Sequence, residues 1–531
     1  MIVDSPLPPL AIPDGDFSSF ALRRARELPD KVALIDLDTG AQTTYADLTR
    51  MVDACAGGLV ARGLRPRDIV AICAFNTSAY ALVAHAVWRA GGTLVTVNPL
   101  FTVGEMQHEL ADAGARYLVA ASEVLDHAQA AARQVGIEAM FTLGHNDGPD
   151  AFETLADARQ SPPTLSVNPH EDRALILYSS GTTGLPKGVM LTHHNLKAAA
   201  LQLLSGDLAR QEDVLVAVSP FFHVVGLHGI LNLGLVAGAT TVIVRRFDLG
   251  RFLEAVQKYR ISSAFLTPPV VNELVKNPLV SEYDLGSLRS ILCAAAPLGP
   301  EAETAAAERL GCTVRQGYGM TEATGPVSTN LVKPDGSVRR GSVGQLVPST
   351  EAKIEDLADA RELGAGETGE ILVRGPQVMR GYLNNPEATA VALEAGGWLH
   401  TGDVGYADAE GYLWIVDRVK EIIKYKAYQV APAELEAVLG SHPSVQDVAV
   451  VPSPEPDSGE VPKAFVVLKA GNEASGDELM SYVAERVAPY KKVRMVEFVD
   501  VIPKSPTGKI LRRVLVERER QSAGGGARSA G

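Results

Sequence analysis

The feature that most limits the possible folds is an alternation of short apolar segments with amphipathic helical segments between about residues 170 and 320. ALILYS (174–179) and DVLVAVS (213–219) are typical of strands, and Thr192 precedes the helical run HHNLKAAALQLL. TTVIVRRF, ISSAFL, LRSILC and TVRQG continue the series. Apolar strands joined by helices predict parallel sheets covered by helices on both faces. In such sheets ligands bind beyond the carboxyl ends of the strands, where we expect the functional site.

A second, smaller unit is predicted after Trp414. The charged segment DRVKEIIKYKAYQVAP leads into a helix at 432–440, two strands, an amphipathic helix near 476–488 and a final strand. The predicted fold class is therefore α/β, with a large N-terminal domain of parallel-rich sheets flanked by helices and a small α+β C-terminal domain. The expected boundaries are 1–417, 418–517 and a flexible tail at 518–531, with a polar hinge near 417–420.

Composition excludes several classes of protein. The 531 residues contain 49 Lys and Arg against 63 Asp and Glu, a net charge of −14, which argues against a nucleic-acid partner. The longest weakly polar run, Leu227 to Val244, is interrupted by His228, Asn232 and several glycines, so it predicts a buried helix, turn and strand rather than a membrane span.

The cysteines and the N-terminus favour a cytoplasmic protein. Cys55, Cys73, Cys293 and Cys312 lie far apart without metal-ligand spacing, and we expect them to be reduced, small apolar residues. The opening MIVDSPLPPLAIPDGD is acidic and proline-rich, unlike a secretory signal peptide.

A dense phosphate-binding segment, YSSGTTGLPKGVMLTHHN (178–195), follows the first of these strands. Glycines allow close backbone approach, hydroxyls and amides donate to phosphate oxygens, and Lys187 neutralises charge. Gly188 follows the lysine, so this segment is not a Walker A loop. A generic glycine- and serine-rich turn is the structural alternative.

The run SSGTTGLPKG resembles the signature loop of the adenylate-forming superfamily, which contains acyl-CoA synthetases, firefly-type luciferases and peptide-synthetase adenylation domains. Four further segments are similar in the same order: QGYGMTEATG (316–325), GWLHTGDVG (397–405), DRVKEIIKYKAYQVAPAELE (417–436) and PKSPTGKILRR (503–513). Within the superfamily the chain looks most like the 4-coumarate:CoA ligase branch. The resemblance implies a mobile C-terminal domain and, in the N-terminal domain, a β-barrel-like subdomain.

The resemblance implies two half-reactions, in which a carboxylate attacks the α-phosphorus of ATP and a thiol then displaces AMP from the acyl adenylate. It assigns Lys509 to the α-phosphate and the carboxylate, and Glu322 to Mg²⁺; the alternatives are a surface lysine and a helix cap. The remaining residues implied to bind the nucleotide are Ser179, Thr182, Thr183, Lys187, Ala295, Gln316, Gly317, Tyr318, Thr321, Asp403 and Arg418. Among them, Thr182, Thr183 and Lys187 are expected on the β- and γ-phosphates, Asp403 and Arg418 on the ribose, and Tyr318 against adenine.

His223, in PFFHVVG, is implied to lie near the acid carboxylate, although a lone histidine after a strand is often structural. Apolar residues and glycines are aligned with the acid pocket: Val225, Gly229, Leu292, Ala295, Gly319, Pro326 and Val327. Plant relatives usually offer a tyrosine to the phenol hydroxyl where this chain has Val225. A buried hydroxyl without a partner costs about 1–3 kcal/mol, so cinnamate-like, other aryl or apolar aliphatic acids are favoured. Ordinary core packing is the alternative for each pocket position.

The small domain is implied to rotate about Lys420 and to present Lys509 for adenylation, then Lys424 and Gln429 for the thiol step. Lys426 and Ala427 fall beside the expected pantetheine tunnel, where relatives read KGFQV or KGYQV. The alanine in place of glycine adds a methyl group where backbone and thiol approach closely, which either slows thioester formation or is absorbed by a shifted loop.

The sequence therefore predicts an acid:CoA ligase that uses ATP, Mg²⁺ and coenzyme A, with no nucleic-acid partner or membrane span. Its acid, its pathway and its oligomeric state stay open. An enzyme of one half-reaction, or one that loads a carrier-protein phosphopantetheine, is the enzymatic alternative, and a nucleotide or acyl-AMP sensor is the non-enzymatic one. The intact Lys187, Glu322, Asp403, Arg418 and Lys509 argue against a sensor.

Overall fold

The computed structural model describes residues 1–144, 150–158, 161–179, 186–419, 421–425, 428–455, 459–487, 489–505, 508 and 510–525. The strands are β1 Ile2–Asp4, β2 Val32–Asp36, β3 Gln42–Thr44, β4 Ile69–Cys73, β5 Thr93–Val97, β6 Tyr117–Ala121, β7 Ala139–Leu143, β8 Arg173–Ser179, β9 Lys187–Thr192, β10 Val214–Ala217, β11 Thr240–Ile243, β12 Ser263–Leu266, β13 Ser290–Cys293, β14 Thr313–Met320, β15 Gly325–Thr329, β16 Gln345–Leu346, β17 Glu351–Glu355, β18 Gly369–Arg374, β19 Gly381–Tyr382, β20 Leu399–Ala407, β21 Leu413–Arg418, β22 Ile423–Tyr425, β23 Tyr428–Val430, β24 Val445–Glu455, β25 Gly459–Leu468 and β26 Met495–Phe498.

The α-helices are α1 Phe17–Ala21, α2 Tyr45–Ala61, α3 Ser78–Arg89, α4 Val103–Ala113, α5 Leu125–Val135, α6 His193–Ser205, α7 Leu233–Ala237, α8 Leu249–Tyr259, α9 Pro268–Lys276, α10 Pro300–Leu310, α11 Pro386–Ala392, α12 Pro432–Gly440, α13 Gly476–Ala484 and α14 Arg512–Gly525. A π-helix covers Val225–Asn232. Short 3₁₀ helices cover Leu22–Arg26, Ser122–Val124, Phe152–Ala158, Pro278–Glu282, Thr321–Ala323 and Pro489–Lys491.

Two large sheets form the N-terminal part, as the alternating pattern predicts. The first has nine strands in the order β16-β15-β14-β13-β12-β10-β11-β2-β3, and β14 through β2 run parallel. The second has seven strands in the order β19-β9-β8-β5-β4-β6-β7, with β8 through β7 parallel. Their parallel strands are almost fully buried, which confirms the expectation of sheets covered on both faces.

Local signals set several element boundaries. Thr192 begins α6 as predicted, because its hydroxyl accepts from the Asn195 amide and the Asn195 side chain accepts from the Thr192 amide in return. The run from Leu227 to Val244 forms the rest of the π-helix, α7, a turn at Gly238 and β11, which confirms the predicted buried helix, turn and strand. No helix in the described part of the chain is long and apolar enough to cross a membrane.

The third sheet of the N-terminal part is antiparallel, with five strands in the order β1-β17-β18-β20-β21. In this hydrogen-bonded order β1 and β21 are the outer strands, and an isolated bridge joins Leu413 of β21 to Gly344. Its last strand leads directly into the segment at 417–420.

The C-terminal part confirms the predicted α+β pattern. Its sheet has the order β23-β22-β25-β24, with β26 parallel to β25, and α12 and α13 pack on it through Leu435, Leu439, Leu479 and Val483. Helix α13 ends at Ala484, before the end that the pattern predicts, and a 3₁₀ turn follows at Pro489–Lys491.

Helix α14 corrects the boundary of the expected tail. It continues to Gly525, although a flexible segment is expected from 518. Leu515 is buried, and Glu519 accepts hydrogen bonds from Lys463 at 2.5 Å and Ser453 at 2.7 Å. These tertiary contacts stabilise a helix whose own composition is too polar to predict burial.

Candidate active site

The carboxyl ends of β13 and β14 open the site, as parallel-sheet topology predicts. Strand β14 ends at Met320 and is followed by the 3₁₀ turn that carries Thr321 and Glu322. After β13, Ala295 adopts a left-handed φ of 76°. A non-glycine residue in that region costs roughly 1–2 kcal/mol, and such strain occurs often at functional sites.

Glu322 is the centre of a polar cluster. Its Oε1 accepts hydrogen bonds from the Ser179 hydroxyl and from the Tyr382 hydroxyl, each at 3.0 Å. The carboxylate is 9% exposed. Ser179 ends β8 and Tyr382 ends β19, so the cluster joins the seven-stranded sheet to the turn after β14.

Lys187 completes this cluster. It starts β9 and pairs with Ser179 across the loop that joins β8 to β9. Its Nζ lies 4.9 Å from the centroid of the Tyr382 ring, within cation–π distance. Thr182 and Thr183, expected on the phosphates, lie outside the described residues. Lys187 and Glu322 therefore both contact Tyr382, which brings one ammonium and one carboxylate to a shared side chain.

Tyr382 is a residue that sequence reasoning missed. It was not distinguishable from an ordinary core aromatic, because its position depends on the pairing of β19 with β9, where Tyr382 lies opposite Val189. Burial and the neighbouring Glu322 charge raise the pKa of its phenol well above the usual value, so it stays a hydrogen-bond donor near neutral pH. The GYLNNP segment that contains it gave no separate signal of this contact.

The residue types of this cluster fit Mg²⁺. The part of the chain that the structure describes contains no group of three or more His, Cys, Asp or Glu side chains able to hold a metal by themselves. Mg²⁺ is usually held by one or two carboxylates together with substrate phosphates and waters, rather than by an all-protein cage. A single buried carboxylate beside a phosphate-binding loop meets that description.

A second polar cluster forms at Asp403 on β20. The Tyr318 hydroxyl donates to Asp403 Oδ2 at 2.6 Å, and Arg418 Nε lies 3.3 Å from Asp403 Oδ1. Asp403 and Arg418 are paired on adjacent strands, and Asp403 is 6% exposed. Burial, with Asp403 as a secondary cause, raises the pKa of Tyr318 far above its usual value. Asp403 of the antiparallel sheet thus fixes the orientation of Tyr318, which belongs to β14 of the nine-stranded sheet.

The Gln316 side chain, expected near adenine, forms its hydrogen bonds within the protein. It is buried, its Oε1 accepts from the Leu298 amide, and its Nε2 donates to Glu303 Oε2, both at 2.9 Å. Glu303 in turn pairs with Arg340 at 3.1 Å. The Gln316 side chain therefore holds the segment after β13, which contains Ala295, and its amide is used within the protein.

His223 lies between β10 and the π-helix. Its carbonyl accepts from the Leu227 amide at 3.0 Å, and its ring packs at 4.6 Å from the Phe222 ring. Burial lowers the pKa of His223 to about 4. The imidazole is therefore neutral near pH 7, where it serves as a neutral hydrogen-bond donor or acceptor rather than as a cation.

The expected acid-pocket residues separate into two groups. Val225 and Gly229 are partly exposed on one face of the π-helix, where a Cβ built on Gly229 would have Val225 Cγ1 as its nearest atom, at 3.9 Å. Val327 and Leu292 belong to the main hydrophobic core, and Val327 has no exposed surface. The structure therefore places Val327 in the core, whereas Val225 and Gly229 stay accessible.

Gly319, also aligned with the pocket, has a packing reason to be glycine. A Cβ there would lie 1.8 Å from the Gly325 carbonyl oxygen on the partner strand β15. The pairing of β14 with β15 is irregular between Tyr318 and Gly319. Gly317 has more room, with Leu292 Cδ1 at 3.3 Å from its Cβ position. Pro326, which pairs with Gly319, is buried.

Gly508, the described residue next to Lys509, lies close to the segment that follows β12. A Cβ on Gly508 would lie 3.2 Å from Pro269 Cγ and 3.8 Å from the Thr267 hydroxyl, just after β12. Lys509 is outside the described residues, but its neighbour thus lies at the carboxyl edge of the nine-stranded sheet. Lys420, Lys426 and Ala427 are also outside the described residues, and Lys424 and Gln429 are described only as paired backbone in β22 and β23.

Polar contacts flank the expected hinge. Asp417 accepts from the Ala433 amide at 2.8 Å, and Arg512 contacts Glu436 at 2.6 Å as well as Glu421. These contacts attach the end of β21 to α12 and α14.

Comparison with known proteins gives the family. The AMP-binding enzyme model matches residues 22–383, and the AMP-binding enzyme C-terminal domain matches residues 434–509. The chain belongs to the AMP-binding enzyme family. A 4-coumarate–CoA ligase of Pinus taeda is 40% identical over 523 residues, which cover 97% of each protein. This AMP-binding enzyme is thus an AMP-forming acid:CoA ligase by family, and the resemblance stated from its motifs is confirmed.

Solved structures agree with this membership. ATP-bound MatB from Rhodopseudomonas palustris superposes with a TM-score of 0.87 at 30% identity, covering 94% of this chain and 98% of MatB. The anthranilate CoA ligase AuaEII, in complex with anthranoyl-AMP, has a TM-score of 0.87 at 26% identity and covers 97% of this chain and 99% of AuaEII. The AMP-binding enzyme described here therefore has the fold of adenylate-forming enzymes over nearly its whole length.

Proposed function

We propose that this AMP-binding enzyme activates an aryl, cinnamate-like or apolar aliphatic acid as its acyl adenylate and transfers the acyl group to coenzyme A. The observation that carries the proposal is the pair of clusters around Glu322 and Asp403. One supplies a hydroxyl-bound carboxylate beside an ammonium, and the other supplies a carboxylate beside a fixed aromatic ring. This arrangement suits the two ends of one nucleotide.

In the first half-reaction one oxygen of the acid carboxylate forms a bond to the α-phosphorus of ATP, and the bond from that phosphorus to the bridging oxygen breaks to release pyrophosphate. Lys187 neutralises charge on the outer phosphates, and Ser179 and Tyr382 hold the Glu322 carboxylate in one orientation. Mg²⁺, held by Glu322 together with the phosphates, would neutralise the charge that moves to the leaving pyrophosphate. Charge stabilisation and positioning, rather than a protein nucleophile, supply the rate.

The neutral His223 is proposed to face the acid carboxylate. Because its imidazole is uncharged, it orients an oxygen by a hydrogen bond without adding a second fixed cation. Lys509 is proposed to bring the positive charge, and the contact of Gly508 with Pro269 is consistent with entry of that segment from the edge of the sheet. Asp403 and Arg418 are proposed on the ribose, and Tyr318 against adenine.

In the second half-reaction the CoA thiolate forms a bond to the acyl carbon, and the bond from that carbon to the AMP oxygen breaks. The small domain is proposed to rotate about the segment at 417–420, which removes Lys509 and presents Lys424 and Gln429. The domain boundaries at 417 and 418 and the hinge at Lys420 belong to this proposal.

The acid class is proposed from Val225 and Gly229. The π-helix presents a valine and a glycine, without a hydroxyl or charge, on its partly exposed face. An acid with a buried phenol would therefore leave its hydroxyl unpartnered at this wall. Carrier-protein loading remains the alternative for the acceptor, because Ala427 replaces the family glycine beside the thiol path.

Mass spectrometry of the purified protein with ATP, Mg²⁺ and a panel of aryl and aliphatic acids, with and without CoA, tests the proposal. Acyl-CoA and AMP are expected with CoA, and acyl-AMP without it. If the acyl-AMP were converted by a phosphopantetheine carrier protein but not by CoA, the carrier protein would replace CoA as the proposed acceptor. Absence of adenylate from every acid would contradict the proposal.

A further inference from the structure

A buried network of hydrogen bonds involves the π-helix that carries Val225 and Gly229. The Asn232 side chain bridges two histidines, with Oδ1 at 3.2 Å from His85 Nε2 and Nδ2 at 3.4 Å from His228 Nδ1. His85 Nδ1 in turn lies 3.2 Å from the Ser18 hydroxyl. All four side chains are 0% exposed, so the network connects α1, α3 and the π-helix inside the core.

The hydrogen bonds of this network all run in one donor-to-acceptor direction, from Ser18 towards His228. Burial lowers the pKa of His85 to about 4 and that of His228 to about 3, so both rings are neutral near pH 7. In a neutral imidazole one nitrogen donates and the other accepts. His85 therefore donates from Nε2 to Asn232 and accepts from Ser18 at Nδ1, while Asn232 donates from Nδ2 to His228 Nδ1. A change at one member affects every other member.

A π-helix needs such a fixed partner. Its i→i+5 bonds are rare and occur mostly as single turns at functional sites, whereas Val225–Asn232 is eight residues long. Return to α-helical bonding would rotate the residues of this segment about the axis by up to ~100° for each residue of register change. Val225 or Gly229 would then leave the partly exposed face.

The start of the π-helix is also tied to the loop that carries His223. A Cβ on Gly226 would lie 2.1 Å from the Pro220 carbonyl oxygen and 2.6 Å from that of Ser219, so the two backbones touch. Asn76 holds the same loop, because its side chain donates to the Ser219 carbonyl and accepts from the Phe221 amide. A rotation of the helix therefore displaces the loop before it.

We propose that Asn232 and His85 are positioning residues that hold the π-helix in register and thereby set which acids the enzyme accepts. The inference rests on the proposed acid pocket at Val225 and Gly229. The residues act through the helix and touch neither acid nor nucleotide. The nucleotide clusters at Glu322 and Asp403 belong to other elements and are expected to be insensitive to the change.

The test compares Asn232→Leu with Ile230→Leu, a volume-conserving change at a fully buried position of the same helix. Acid-dependent exchange of pyrophosphate into ATP is measured with cinnamate and hexanoate. For Asn232→Leu we expect the ratio of kcat/KM between the two acids to change about tenfold and the KM for ATP to stay within about twofold, whereas Ile230→Leu keeps both. A folded Asn232→Leu with an unchanged ratio and only a lower Tm would overturn the proposal.

Two further measurements distinguish a change of helix register from a loss of folding and from a failure of the proposed function. Ser18→Ala removes only the far end of the network, and we expect a smaller change of the acid ratio in the same direction. A crystal structure of Asn232→Leu or, if that variant does not fold, of His85→Gln should show Val225–Asn232 with altered helical register. Retention of the π-helical register with Val225 in place would contradict the inference. Failure of the wild-type protein to activate any of the acids would instead refute the proposed function, and the crystal structure would still test the helix register.

Discussion

At the scale of single residues, the Glu322 carboxylate depends on two hydroxyl groups from distant segments. Ser179 and Tyr382 both donate to the same oxygen, Oε1, which fixes the orientation of the carboxylate plane. Hydrogen bonds to a charged group are worth about 1.5–3 kcal/mol, more than those between neutral groups. The Tyr382 ring also lies under Lys187. One side chain therefore positions the proposed metal ligand and the phosphate-binding lysine together.

Replacement of Tyr382 by Phe removes the hydroxyl and keeps the ring under Lys187. We expect kcat/KM for MgATP to fall about tenfold or more and the Mg²⁺ concentration for half-maximal rate to rise, because Glu322 loses one of its two hydroxyl donors. Direct titration of MgATP binding by calorimetry measures the same loss without turnover. Tyr259→Phe, on α8 away from the site, is the control. Unchanged Mg²⁺ dependence and binding would remove this role.

Gly319 gives a second prediction at this scale. An added methyl group would lie 1.8 Å from the Gly325 carbonyl, so Gly319→Ala must displace the β14–β15 hairpin. We expect destabilisation of about 1–3 kcal/mol by urea unfolding, together with loss of adenylation. Gly440→Ala is the matched control, because nothing lies within 4 Å of its Cβ position in α12. A Gly319→Ala protein of wild-type stability and activity would show that the hairpin adapts freely.

At the scale of elements, helix α4 contains a carboxyl group whose protonation changes on folding. Glu109 is 3% exposed, and burial, with Glu105 and Asp112 as further causes, raises its pKa to about 8. A raised folded-state pKa means that this group contributes stability below its unfolded pKa, near 4.5, and loses that contribution as the pH rises to about 8. The helix is therefore expected to be weakest under alkaline conditions.

Glu109→Gln removes this titration. Relative to wild type, the variant should be of similar stability at pH 4.5 and progressively more stable towards pH 8 to 9, by as much as about 5 kcal/mol in the limit of the full shift. Thermal unfolding at several pH values measures the difference in Tm, and the exposed Glu254→Gln on α8 is the control. A stability difference independent of pH would show that the carboxyl group titrates normally.

Comparison of the elements with the sequence patterns shows which parts of the fold could be predicted. The parallel strands, the Thr192 cap and the small α+β domain were predictable because apolar periodicity and capping act locally. The Tyr382 contact and the burial of Glu519 were not, since each depends on pairing between segments far apart in the chain. The π-helix was predicted only as a buried helix, because its register depends on the His85 and Asn232 contacts rather than on local preference.

The residues of the candidate site show the same difference between local and long-range information. Motifs identified Glu322, Asp403, Tyr318 and Lys187, and the structure brings them into two clusters. Motif position also assigned Gln316 to adenine and Val327 to the acid pocket. The Gln316 amide binds within the protein, to the Leu298 amide and to Glu303, and the Val327 side chain is wholly buried. Position in a motif therefore predicted which residues gather at the candidate site, but not which side chains are used within the protein.

At the scale of the whole molecule, the proposed reaction requires a small domain that serves two half-reactions. Strand β21 leads from the antiparallel sheet into the hinge segment, and Asp417 and Arg512 attach that segment to α12 and α14. Gly508, the neighbour of Lys509, lies close to Pro269, because a Cβ built on Gly508 would be 3.2 Å from Pro269 Cγ. The proposed rotation of the small domain would separate these two residues and leave the contacts of Arg512 with Glu421 and Glu436 intact.

Lys509→Ala separates the two half-reactions. We expect acid-dependent AMP formation to fall on the order of 10²-fold or more, because a positioned charge is lost, while thioester formation from supplied acyl-AMP and CoA continues. Stopped assays with each half-reaction alone measure the two rates. Lys504→Ala, a nearby lysine that pairs with Asp447, is the control. Equal loss in both half-reactions would contradict the division of labour.

The most direct test of the proposed acyl-adenylate mechanism follows the carboxylate oxygen. Acid labelled with ¹⁸O in both carboxylate oxygens is converted in the presence of ATP, Mg²⁺ and CoA, and the products are weighed by mass spectrometry. Attack on the α-phosphorus followed by thiol displacement predicts one ¹⁸O in AMP, one in the acyl-CoA and none in pyrophosphate. Label in pyrophosphate or phosphate, or unlabelled AMP, would contradict an acyl-adenylate mechanism for this protein.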